Sequence, residues 1–96
     1  MSIRVTLNCP VQPDQYNTLL PFLKANLPNV RGFAGCRRVS ILFDRNNDEM
    51  LLDEEWQDVS SHQAYLKFIE DNGVLGQLSG FLSGPPRIKY FDLLDI

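Results

Sequence analysis

The chain opens on an alternation. Ile3, Val5, Leu7 and Cys9 fall at period two, with Ser2, Arg4, Thr6 and Asn8 between them, and Pro10 closes the run. That pattern predicts a strand with one apolar face. Between Asp14 and Leu27 the period changes, and Tyr16, Leu19, Leu20, Leu23 and Leu27 gather at helical spacing within an arc of about 100°. An amphipathic helix follows, kinked by Pro21 on its solvent side and ended by Pro28. Asn29 to Gly35 then reads as a loop in which Gly32 and Gly35 permit positive φ.

From Cys36 to Phe43 the period returns to two, with Val39, Ile41 and Phe43 alternating with Arg38, Ser40 and Leu42. The polar run Asp44 to Asp48 predicts a hairpin turn into a third strand, Glu49 to Trp56. In that strand Met50, Leu52, Glu54 and Trp56 share one face, and Leu51, Asp53 and Glu55 the other. Ser60 followed by Gln63 reads as a capping box for a second helix over about Ser61 to Asp71, with Val59, Tyr65, Leu66, Phe68 and Ile69 on its apolar arc. Val74, Leu75, Leu78, Phe81 and Leu82 fit a short third helix weakened by Gly76 and Gly80. Gly84-Pro85-Pro86 stops it, and Arg87 to Leu94 forms a last strand in which Ile88 and Tyr90 alternate with Lys89 and Phe91.

The order β-α-β-β-α-(α)-β predicts an α+β fold of the ferredoxin-like split βαβ type, a four-stranded antiparallel sheet with its helices on one face. In that plan the first strand pairs with the third and fourth, which keeps Cys9 and Cys36 apart and argues against a disulfide. The pair Leu51-Leu52 and the run Ile41-Leu42-Phe43 make both faces of the strands apolar, so a second cover is needed. The simplest cover for a short chain is another copy, a symmetric homodimer forming an α+β barrel around an apolar cavity.

Length and charge narrow the function. With 96 residues, 44% of them hydrophobic, and a net charge of -3, the chain fits one domain over residues 1–96 whose small core favours self-association. Nine Lys plus Arg against twelve Asp plus Glu leave no footprint for nucleic acid or an anionic membrane. The start Met1-Ser2-Ile3-Arg4-Val5-Thr6 lacks a secretory apolar core, and no run approaches the roughly 20 residues of a membrane span, so a cytoplasmic location is expected. One histidine and two cysteines argue against a zinc or haem site, and neither metal nor cofactor is expected. Phosphate loops, dinucleotide fingerprints and nucleophile elbows are not found in the sequence.

Three motifs stand in order along most of the chain: Gly32-Phe33-Ala34-Gly35-Cys36 before the second strand, Glu54-Glu55-Trp56 with Asp58 at the end of the third, and Leu82-Ser83-Gly84-Pro85-Pro86 before the last. Together they resemble the antibiotic biosynthesis monooxygenase family. The resemblance implies a homodimer with a small hydrophobic cavity in each subunit between sheet and helices. It also implies, as in some members, oxygenation of polyketide or quinol-type aromatics by dioxygen without metal or flavin. Related members degrade haem or isomerise small metabolites. Many relatives carry a histidine nine residues after the tryptophan, where this chain has Tyr65, and its only histidine is His62. The iron-binding histidine of haem-degrading relatives has no counterpart after Tyr65.

His62 falls between Leu66 and Ile69 on the helical wheel and is expected to face the sheet or a cavity. There it reads either as a base that deprotonates a phenol or quinol, or as a buried neutral histidine bonded to backbone or a hydroxyl. Trp56 reads as a wall for an aromatic substrate whose N–H binds a substrate oxygen, or as core beneath the second helix. Tyr65 reads as a donor to a developing oxyanion or as a rim tyrosine. Asn8 orients a substrate or simply pairs at the strand end. Arg38, with Arg37, recognises an anionic substrate, bridges the dimer, or pairs with the acidic stretch Asp44 to Glu55. Glu54 is the carboxylate aimed inward with Trp56, where desolvation raises its pKa unless an arginine compensates.

These residues support a cofactor-independent monooxygenase acting on a small apolar or aromatic substrate, with His62, Trp56 and Tyr65 catalytic and Asn8, Arg38 and Glu54 binding substrate. An isomerase or lyase acting on an enolisable metabolite, and a non-catalytic ligand-binding dimer, are the competing readings.

Overall fold

The computed structural model describes residues 2–96, and Met1, the first residue of the N-terminal stretch read above, lies outside the described residues. The elements are β1 (Ile3–Pro10), α1 (Tyr16–Arg31), β2 (Cys36–Phe43), β3 (Glu49–Trp56), α2 (Val59–Asp71), α3 (Val74–Ser79) and β4 (Arg87–Asp92). They form an α+β fold of the ferredoxin-like kind, with one antiparallel sheet in the order β2-β3-β1-β4. β1 sits centrally against β3 and β4, and both cysteines are free.

Register decides which side chains meet. Val5 stands opposite Glu54 on β3 and Tyr90 on β4, and Val39 on β2 also stands opposite Glu54. Cross-strand partners share a face. Val5, Val39, Glu54 and Tyr90 therefore point to the helical side, as do Leu7, Ile41, Leu52 and Ile88. The core beneath the helices contains Val5, Leu7, Cys9, Leu19, Met50 and Trp56.

The first helix runs through both Pro21 and Pro28, so Pro28 does not end it. The two prolines are exposed and two turns apart on one stripe. The carbonyls they deprive of a donor, those of Asn17 and Lys24, belong to exposed residues that water can satisfy. Val30, buried in the last turn, rewards the extra length. Of the two loop glycines only Gly35 takes positive φ, at 91°. A Cβ there would stand 2.5 Å from that of Ser61, and the Gly35 carbonyl accepts from the Gln57 amide at 2.7 Å. This close approach seats the start of α2 against the turn before β2.

The cap of α2 is Asp58, not Ser60. Its Oδ1 accepts from the Ser61 amide at 2.8 Å and from the Ser60 hydroxyl at 3.0 Å. A carboxylate gains more than a hydroxyl at a helix N-terminus because the dipole favours the anion. Phe68, assigned to the apolar arc, is half exposed, with its ring against Phe33. β4 ends at Asp92, two residues short of expectation.

The open face of the sheet is more polar than its leucines suggest. Arg4 donates to Asp53 through Nε at 2.6 Å and Nη2 at 2.9 Å, and Arg38 reaches the same carboxylate at 3.4 Å. Leu42, Leu51 and Phe91 stand on that face among these charges. Beyond β4, Leu93, Leu94 and Ile96 are exposed. Among the described residues no helix is long and apolar enough to cross a membrane.

Candidate active site

A cavity of about 270 Å³ lies between the sheet and the helices. It approaches the roughly 300–1,000 Å³ of ligand pockets. Leu7, Ile41 and Leu52 form part of its floor, Phe22 and Leu23 line it from α1, and Leu66 from α2. Phe33, Phe68 and Phe81 stay outside its lining. Phe33 packs instead on Trp56, Tyr65 and Phe68, and Phe81 on Phe22. The space is left open because the large aromatics stack with one another around it.

Polar groups line this largely apolar volume from three elements, with Asn26 on α1 and the exposed Glu70 on α2 joining the buried cluster. The alternation of β3 delivers Glu54 from the floor, and α2 delivers His62 and Tyr65. Glu54 is only 4% exposed, and its Oε1 accepts the indole N–H of Trp56 at 2.7 Å. The same oxygen lies 3.8 Å from His62 Nε2. On the other side of the imidazole, Nδ1 is 2.9 Å from the hydroxyl of Tyr90. His62 also lies edge-on to both the indole and the Tyr90 ring.

Burial governs the charges. Desolvation raises Glu54 above the usual carboxylate range, and the indole hydrogen bond only partly opposes it. Desolvation alone lowers His62 to about 4, so the imidazole is neutral at neutral pH. Its approach to Glu54 is therefore a contact between a carboxylate and a dipole, not an ion pair. Tyr65 is pushed up to about 12, first by burial and then by Glu54, and remains a neutral phenol. Glu54 is thus the acidic member of a cluster whose imidazole and phenol are both neutral.

The sequence candidates divide between the two faces of the sheet. His62, Tyr65 and Glu54 line the cavity, and Trp56 lies behind them, fully buried with its N–H committed to Glu54. Asn8 and Arg38 are on the opposite face. Asn8 donates to Glu49 at 2.9 Å, and Arg38 bonds to Ser40 at 2.7 Å and to Asp53. No arginine compensates Glu54 among the described residues. Tyr90 went unassigned in the sequence because its place beside His62 arises only from β4 pairing with β1. The period-two pattern did carry part of that signal, since it put Tyr90 on the same phase as Ile88.

The fold defines a class of small split βαβ sheets backed by helices, and solved structures of that class match it over nearly their whole length. Rv0793 from Mycobacterium tuberculosis is 19% identical, with 100% of this chain and 98% of that one covered, at a TM-score of 0.82. A conserved protein from Methanosarcina mazei is 18% identical, with 98% and 94% covered, at a TM-score of 0.85. A structure described as an antibiotic biosynthesis monooxygenase is 13% identical, with 96% and 98% covered, at a TM-score of 0.84. These likenesses establish the fold, and the name of the last agrees with the resemblance read from the motifs. No family model matches the chain, and no curated protein matches it.

Proposed function

We propose that the chain is a cofactor-independent monooxygenase that oxidises a small phenolic or quinol-type ring with dioxygen inside the apolar cavity. The observation that carries this reading is a buried carboxylate, Glu54, facing a largely apolar cavity beside a neutral imidazole. A desolvated carboxylate is a stronger base than one in water, and the apolar walls suit a flat ring. Removing the ring's acidic proton makes an electron-rich anion that reduces dioxygen directly. In the net reaction, written for the keto tautomer of the ring, a CH2 becomes C=O, one oxygen atom of dioxygen enters the product, and the other leaves as water with both hydrogens. The similar structure described as an antibiotic biosynthesis monooxygenase favours a monooxygenase reading.

The unpartnered Leu42 and Phe91, with the exposed Leu93, Leu94 and Ile96 beyond them, favour a second copy of the chain against the open face. A dimeric mass at micromolar concentration is expected, and a monomeric one would discard that cover.

The test of the activity is dioxygen consumption with hydroquinones, naphthols and anthrones, run with and without a metal chelator and beside His62→Ala and Glu54→Gln. Uptake that survives chelation and falls at least about 100-fold in a variant lacking the base supports the reading. Binding without uptake would reassign the cavity to an isomerase or a ligand-binding module.

A further inference from the structure

We propose that Tyr90 is a positioning residue that fixes His62 as the Nε2–H tautomer, and that the group accepting the ligand's proton is consequently the Glu54 carboxylate and not the histidine. This deepens the reading above and rests on it for the identity of the ligand as a ring bearing an acidic O–H.

The argument starts from the two nitrogens of a neutral imidazole, one of which carries hydrogen while the other offers a lone pair. Nε2 faces Glu54 Oε1 at 3.8 Å, and a carboxylate oxygen only accepts. A lone pair turned toward that oxygen is repelled and an N–H attracted, a preference that is weak at a distance beyond hydrogen bonding and that the Tyr90 contact on the other nitrogen has to enforce. Nδ1 then presents its lone pair to the Tyr90 hydroxyl at 2.9 Å, and the phenol O–H donates to it. Neither nitrogen keeps a lone pair for a ligand.

Glu54 does keep one. Oε1 is taken by the indole N–H at 2.7 Å, and Oε2 is the oxygen left for a molecule in the cavity that Glu54 lines. In the proposed step the ligand O–H bond breaks, its electron pair stays on the ligand oxygen, and the proton bonds to Oε2. The other titratable groups near Glu54 or along the same cavity are His62, Tyr65 and Glu70 from α2, Tyr90 on β4, Cys36 on β2, Cys9 on β1, and Asp53, adjacent to Glu54 in sequence. Of the two other carboxylates, Asp53 points to the opposite face and Glu70 is exposed. Burial raises both thiols as well as the Tyr65 phenol, which leaves the carboxylate as the acceptor. Tyr90 does not itself line the cavity and acts through the imidazole that does.

The chain has one histidine and one tryptophan, so the two imidazole nitrogens and the one indole nitrogen give ¹⁵N side-chain signals with no ambiguity of residue. In wild-type protein at neutral pH the Nε2-protonated imidazole pattern is expected. Tyr90→Phe should convert it to a mixture of tautomers while the protein stays folded, and Glu54→Gln should move the Trp56 Nε1–H signal. An Nδ1–H imidazole in the wild type, or a Tyr90→Phe spectrum unchanged from it, would overturn the assignment. Affinity for 2-naphthol, measured by calorimetry without turnover, tests the acceptor. Glu54→Gln should weaken binding about tenfold or more, through loss of a charge-assisted hydrogen bond. His62→Gln, which keeps an N–H donor, should change it by less than about threefold. The reverse order would return the proton to the histidine. Absence of naphthol binding to wild type would overturn the cavity reading and with it the proton step, whereas the tautomer spectrum would still decide the role of Tyr90.

Discussion

Asp53 and Glu54 are adjacent carboxylates on β3, and the pleat sends them to opposite sides of the sheet. Asp53 meets Arg4 and Arg38 in water, and the Arg4 guanidinium holds it below the ordinary carboxylate range. Glu54 meets an indole N–H and apolar side chains, and desolvation holds it above that range. One residue of register thus separates a charge made weak as a base from one made strong. The comparison shows that reactivity here comes from where the alternation puts a carboxylate, since carboxylates abound along this hairpin.

The largest effect is expected from removing the support beneath Glu54. Trp56 is fully buried and holds Oε1 through its N–H. Trp56→Ala should cost about 3–5 kcal/mol in urea unfolding, because it leaves both a large void and an unsatisfied buried carboxylate. Trp56→Phe should recover most of the packing but not the hydrogen bond. Equal stability of the two variants would mean that the indole N–H contributes nothing to holding the carboxylate.

A somewhat smaller effect is expected from acid. Folding lowers His62 from 6.5 to about 4, so the unfolded chain binds that proton more tightly than the native one. The contribution of the neutral imidazole is complete above 6.5 and is lost as pH falls toward 4, for a total of about 3 kcal/mol. Glu54 acts in the opposite sense. Its raised pKa means that the native carboxyl gains a proton sooner, so acidification relieves the cost of burying its charge. Unfolding free energies measured on both sides of this window for wild type and His62→Gln separate the two groups. The variant should lose less stability on acidification than the wild type, and parallel losses would show that His62 is not the group being charged.

Much of this contrast was readable in the sequence, because period-two alternation is local. It placed Glu54 and Trp56 on one face of β3 and Asp53 on the other, and helical spacing turned His62 inward. What escaped depends on long-range pairing or on competition between local signals. Tyr90 reaches His62 only because β4 adds to β1 in one register. Asn8 and Arg38 were drawn toward a substrate by their chemistry, yet the same alternation puts them on the open face, where Glu49 and Asp53 take them up. Pro28 looked like a terminator because its local cost is certain, while the compensating burial of Val30 depends on the sheet beneath it.

The smallest effect is expected on the open face, and it bears on what covers that face. Asp53→Asn removes charge from a cluster in which the Arg4 side chain is 55% exposed and that of Arg38 38%. Exposed pairs contribute little and are screened by salt. The melting temperature of a chain this size should fall by less than about 4 °C, and by less still at high salt. In a dimer that buries this face the same guanidinium groups would lose both water and their carboxylate partner. The loss would then grow as protein concentration fell, because dissociation is coupled to unfolding. A small shift independent of concentration would mean that Asp53 remains in water, and that any second copy approaches by way of Phe91 and the apolar residues after β4.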